Sequence, residues 1–129
     1  MRIYVDTNIY LDYFLNRTDR LRPLGDFAFE LFRRTISCEF EIILSDWVEQ
    51  ELKNNNATEQ LRKLKEELKH KLITITTTKE DINQAKKVKP FEDSLHAILA
   101  EKAKAKYLIT RNIKDFEQST IKPIYPENV

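Results

Sequence analysis

At 129 residues, 41% of them hydrophobic, the chain suits a single domain, 1–129, whose one core buries roughly two thirds of the unfolded surface. Its 22 Lys and Arg offset 21 Asp and Glu, leaving a formal charge of +1 and no overall field to draw in a polyanion, so nucleic acid must be met locally. A lone Cys38 excludes an internal disulfide and a CxxC site, and His70 and His96 stand too far apart in sequence to argue for zinc.

The run IYV at 3–5 predicts the first strand, and Asp6 directly after it puts a charge where burial should continue. Asp favours turns and helix N-caps, so Asp6, Thr7 or Asn8 could simply start a short helix from Ile9 to Phe14. Leu24, Phe27, Ala28, Leu31 and Phe32 follow at helical spacing in one apolar stripe toward Ile36, a core-packing pattern. IIL at 42–44 predicts the second strand, and Ser45 an N-cap for a helix carrying Trp47, Val48 and Leu52. Asn56 and Glu59 form a capping box before Leu61, Leu64, Leu68 and Leu72. LITIT at 72–76 predicts the third strand, and Thr78 with Asp81 caps a short helix that should stop before Pro90. The best-patterned helix runs from Phe91 to Lys106, leading into YLIT at 107–110. IKPIYP at 121–126 adds an edge strand, because Pro123 lacks the amide that a central ladder needs. Short, nearly continuous apolar runs alternating with helices imply a parallel sheet covered on both faces.

No apolar stretch approaches the roughly 20 residues of a membrane span and no signal-peptide pattern opens the chain, so the expected compartment is the cytoplasm. Gly25 is the only glycine, which removes Gly-rich phosphate loops and the nucleotide cofactors they bind.

In open parallel sheets, ligands meet the carboxyl ends of the strands, and this chain repeatedly places acids there. Asp6 follows the first strand and Asp46 the second, with Glu51 about one and a half turns into the next helix. Asp93 opens the helix from Phe91, and Asp115 follows the fourth strand. Carboxylates gathered at one point repel each other unless a cation neutralises them. A hard divalent ion such as Mg²⁺ or Mn²⁺ prefers such oxygens and can activate water against a phosphodiester, so the implied reaction is phosphodiester hydrolysis. Glu49, turned about 200° from Glu51 around the helix, is read as solvated. His96, one turn after Asp93, is read as a packed helix histidine.

DTNIYLDYF at 6–14, SDWVEQEL at 45–52, EDSLHAILAEKAKAKYLITRN at 92–112 and KDF at 114–116 resemble the four signature blocks of PIN-domain nucleases, in the family's order. The resemblance implies an α/β fold, a PIN-like three-layer α/β/α sandwich around a mainly parallel sheet of four to five strands. It also implies metal-dependent RNA cleavage, with Mg²⁺ or Mn²⁺ as cofactor. By position, the family's acids fall on Asp6, Glu51 and Asp93, with a last group near Asn112 and Asp115. Many members carry Asp where this chain has Asn112, so either Asp115 supplies the missing charge or the site binds metal more weakly. Many small members are toxins of VapBC-type pairs, which implies a small antitoxin partner and a homodimer.

For RNA contact the candidates are Asn8, beside Asp6, Arg17, Arg20 and Arg22 in the loop after the first helix, and Arg111 after the last central strand. The competing use of these arginines is pairing with Asp12, Asp19 or Asp26. Arg62, Lys63, Lys65, Lys69 and Lys71, opposite the leucine stripe, make an ordinary polar face. Trp47, Tyr10 and Tyr13 could stack on bases, but on amphipathic helices such aromatics are more often core or dimer contacts. The alternative function is a non-catalytic PIN-like scaffold that binds RNA or protein, which Asn112 keeps open. A phosphoaspartyl phosphatase would want a second acid where Asn8 stands, and a receiver domain a pair of acids where RIYVD has one.

Overall fold

A computed structural model describes residues 1–129. The strands are β1 (Arg2–Val5), β2 (Glu41–Ser45), β3 (Leu72–Ile75), β4 (Tyr107–Ile109) and β5 (Lys122–Ile124). The helices are α1 (Thr7–Phe14), α2 (Leu24–Ile36), α3 (Asp46–Asn54), α4 (Thr58–Leu68), α5 (Lys79–Lys86) and α6 (Phe91–Lys102). All strand pairs are parallel, in the order β3-β2-β1-β4-β5, with Ile3 level with Ile42 on one side and Tyr107 on the other. The expected parallel sheet is therefore present with all five strands, Pro123 sitting on the edge strand β5.

Successive residues Ile3, Tyr4 and Val5 are all fully buried, which requires cover on both faces of β1. Helices α1 to α4 contact one another and α5 contacts α6, so the helices form two groups about the sheet. Ser45 caps α3 by accepting from the Val48 amide at 3.1 Å, an interaction worth about 1 kcal/mol. Thr78 and Asp81 form the expected reciprocal capping box on α5.

Two expectations need correction. Asn56 takes a left-handed backbone, φ 59°, so α4 starts later, with Ala57 at its N-cap and no capping box to Glu59. Helix α6 ends at Lys102 rather than Lys106, because Lys104 turns left-handed, φ 60°, and Ala105 bonds back to the Ala100 carbonyl.

The one glycine sits where α2 crosses the end of α1. A Cβ at Gly25 would stand 2.6 Å from the Asn16 side chain and 2.9 Å from the Asp12 carbonyl, so no larger residue fits without movement. Its amide also bonds the Arg17 carbonyl at 2.9 Å, which fixes the loop after α1.

Candidate active site

β1 stands between β2 and β4, and the chain passes to one neighbour and later to the other, which opens a crevice beyond the strand ends. The Asp6 amide bonds the Ile109 carbonyl at 2.9 Å, so the end of β4 fixes the residue after β1. Asp6 occupies the N-cap position of α1 but makes no capping bond; its carboxylate instead accepts from the Thr110 hydroxyl at 3.0 Å. That hydroxyl also receives the Asn112 amide at 3.0 Å. Simple capping therefore does not explain Asp6.

A cavity of about 230 Å³ opens here, with Asp6, Glu51 and Asp93 in its lining beside Asn8, Arg17 and His96. Glu51 Oε1 accepts from His96 Nε2 at 2.8 Å and from the Thr7 hydroxyl at 3.0 Å. His96 Nδ1 meets the Tyr4 hydroxyl at 2.8 Å, and that hydroxyl meets Ser45 Oγ at 2.9 Å. A neutral imidazole satisfies both contacts when Nε2 carries its proton, and an imidazolium satisfies them as well. The sequence reading of His96 as a packed residue is correct for its burial, but it missed the link to Glu51. The only signal for it was the one-turn spacing from Asp93.

Burial is the largest influence on all three acids, yet the outcomes differ. It pushes Asp6 up, with Glu51 adding repulsion, against the pull of His96 and Thr110. It pushes Asp93 up together with the charges of Asp115 and Asp6. At Glu51 it is outweighed by the hydrogen bond and charge of His96 and by Thr7, so this carboxyl lies below its usual range. His96 is raised because Glu51 and Asp6 overcome its own burial.

The remaining predicted residues divide. Asp115 lies outside the acid cavity and lines a neighbouring one with Asp93. Asn112 is exposed at the start of the 3₁₀ turn Ile113–Phe116, its backbone amide tied to Thr110 and its carbonyl to the Asp115 amide, with no hydrogen bond from its side chain. Arg17 reaches the cavity and lies 3.6 Å from Asp12. Arg111 is largely buried between Phe27 and Tyr125, 3.7 Å from Asp12 and bonded to Glu127 at 2.9 Å. Arg22 pairs with Asp19, and both flank Arg20 on a surface apart from the acids. Asp46 is drawn to Thr77, accepting its amide at 2.8 Å. Asp12, buried at 3% exposure and pushed up by that burial against Arg111 and Arg17, was recognised in the sequence only as a pairing partner.

No three His, Cys, Asp or Glu side chains converge into a ready-made metal cage. The donor chemistry nevertheless suits a hard divalent cation. Carboxylate oxygens line the cavity, and Asp6 and Asp93 are both raised by burial and by neighbouring negative charge that a cation would relieve.

A family model described as PIN domain matches residues 2–114. The chain belongs to the PIN domain family. In this PIN domain the acid cavity lies wholly within the matched span, while β5 and the Pro126–Asn128 turn that holds Arg111 lie beyond it. The family is one of nucleases. The fold is similar to VapBC2 from Rickettsia felis, solved bound to a DNA fragment from its promoter, with a TM-score of 0.66 and 18% identity over 97% of this chain and 98% of that one. It is also similar to a toxin-antitoxin complex from Klebsiella pneumoniae, with a TM-score of 0.65 and 20% identity over 96% and 97% of the two chains. At these identities the likeness is one of fold. No curated protein matches by sequence. No helix is long and apolar enough to cross a membrane.

Proposed function

We propose that this PIN domain is a Mg²⁺- or Mn²⁺-dependent endoribonuclease and the toxin of a VapBC-type pair. The observation that carries the reading is the shared cavity of Asp6, Glu51 and Asp93, in which two of three acids are raised. These three residues would hold the ion, directly or through water, and the ion when bound lowers the pKa of a water and stabilises charge on the phosphate oxygens. Thr110 holds Asp6, while Thr7 and His96 hold Glu51, so both carboxylates are oriented before substrate arrives. Arg17 at the rim offsets the charge of an entering phosphate, with Asn8 beside it as a neutral donor. No side chain serves as a covalent nucleophile, and the products carry 5′ phosphate and 3′ hydroxyl ends.

An antitoxin that covers the cavity would restrain such an activity, and the similar folds come from VapBC2 and a toxin-antitoxin complex. Exposed Leu15 and Phe29 near α1 and α2 support contacts with that partner or with a second copy. The rival reading, a scaffold that binds without cutting, is favoured by the absence of a ready-made cage and by the engagement of Glu51 with His96.

A labelled RNA incubated with wild type and with Asp6→Asn, in Mn²⁺, Mg²⁺ or EDTA, separates the two. Cleavage should need the metal and fall by at least about 100-fold in the variant, the scale of losing one transition-state charge stabiliser. Wild type that binds RNA yet leaves it intact in every metal, with the variant binding equally well, would establish the scaffold instead.

A further inference from the structure

We propose that the cavity on the far side of Asp93 is a nucleobase subsite for the nucleotide flanking the scissile phosphate, a reading that rests on the nuclease function above. Asp93 lines both this cavity and the one holding Asp6 and Glu51, so the two adjoin at one side chain. A phosphate at the acid cavity therefore brings the adjoining base to the second.

The second cavity, about 290 Å³, sits at the lower end of small-ligand pockets, roughly 300 Å³, and has room for a single ring system. Its apolar lining comes from Val88 and Pro90 before α6 and from Ala97 and Ile98 on it. Val88 is more than half exposed, an apolar side chain left facing solvent beside the opening. Gln118 and Thr120 also line it, and their side chains make no hydrogen bond within the chain. An apolar wall for a ring face with free amide and hydroxyl groups at its edge is the chemistry of base recognition in single-stranded RNA.

Charge decides against the phosphate as occupant. Asp93, Glu101 and Asp115 face Lys89 alone, an acid excess that repels phosphate and accepts hydrogen bonds from exocyclic amino groups. The subsite thus favours a base with an exocyclic amino group, adenine, cytosine or guanine, over uracil, and Asp115 reads the base.

The test has two arms. Metal-free wild-type protein is titrated with adenosine, cytidine and uridine while backbone amide resonances are followed. Adenosine or cytidine should shift the amides of Ser94 and of residues 118–120, uridine should shift them several-fold less, and Ala97→Phe, which fills the pocket, should abolish the response. Because Ala97→Phe touches the core, the exposed Gln118→Ala serves as the second variant. In the other arm, cleavage of a mixed RNA pool is sequenced, and Gln118→Ala should weaken the preference at the flanking base by about 3- to 10-fold, the scale of one neutral hydrogen bond. Wild type that cuts RNA while nucleosides leave these amides unmoved and the preference survives Gln118→Ala overturns the subsite. Nucleoside shifts in a protein that cuts no RNA support a base-binding pocket, but overturn the cleavage and with it the assignment of that base to a scissile phosphate.

Discussion

Glu51 and Asp93 face the same cavity and carry the same functional group, yet the fold treats them oppositely. Glu51 sits at the end of a hydrogen-bonded chain from Ser45 through Tyr4 and His96, and takes a further bond from Thr7. That support holds its carboxyl below the usual range in spite of burial. Asp93 makes no side-chain hydrogen bond, and burial with the charges of Asp115 and Asp6 pushes it up. One acid is thus part of the structure, while the other is tolerated by it. A carboxylate kept where folding gains nothing from its charge is placed for a ligand that supplies the missing partner.

The largest effect is expected from Glu51→Ala. It removes a proposed metal ligand and strands the buried His96 Nε2, which is left without its only close acceptor. RNA cleavage should fall by at least about 100-fold. Stability in urea should also fall, by about 1–3 kcal/mol for an orphaned buried polar group. A variant with undiminished stability would mean that the His96 contact carries no structural weight. His96→Gln comes next. If His96 acts only by orienting Glu51, metal affinity and cleavage should drop together by about 10- to 100-fold, the usual cost of losing a ligand's supporting bond. A loss of cleavage with metal affinity unchanged would instead give the imidazole a direct part in the reaction.

How much of this contrast could be read in the sequence follows from the range of the interactions. The strands were legible because each is a short apolar run whose burial depends on its own composition; Asp6 was legible because it stands directly after such a run, and Glu51 and Asp93 from their places in helices and the family resemblance. Asp93 and Glu51 looked alike at that level. What separates them is His96, whose ring contact with Tyr4 spans 92 positions and leaves no periodic trace. Asp12 was legible as a pairing partner for the arginines, but its burial was not, since its partner Arg111 is delivered by the end of β4. The two misjudged helix ends have a local cause, namely left-handed turns at Asn56 and Lys104, residues that carry no glycine signal.

The smallest effect on stability sharpens the comparison most. Asp93→Asn should abolish cleavage as fully as Glu51→Ala, yet raise the metal-free melting temperature slightly, because it removes a charge that the fold opposes. The gain should depend on pH in a defined direction. Asp93 is raised above its unfolded value of about 3.9, so in the window between the two values the folded state binds more protons than the unfolded one. Wild-type stability from this residue therefore declines as pH rises through that window and stays reduced above it. The advantage of Asp93→Asn should be full at neutral pH and vanish in acid. Glu51 runs the other way: its lowered carboxyl contributes stability above the unfolded value, lost as pH falls through the folded one, so the deficit of Glu51→Ala should shrink in acid. Melting curves of both variants and wild type between acid and neutral pH measure the two slopes directly. Slopes of the same sign would mean that the two acids share one environment, and the division between structural and functional carboxylate would fail. Added Mn²⁺ should then raise the melting temperature of wild type but not of Asp93→Asn, since a ligand stabilises only the state that binds it.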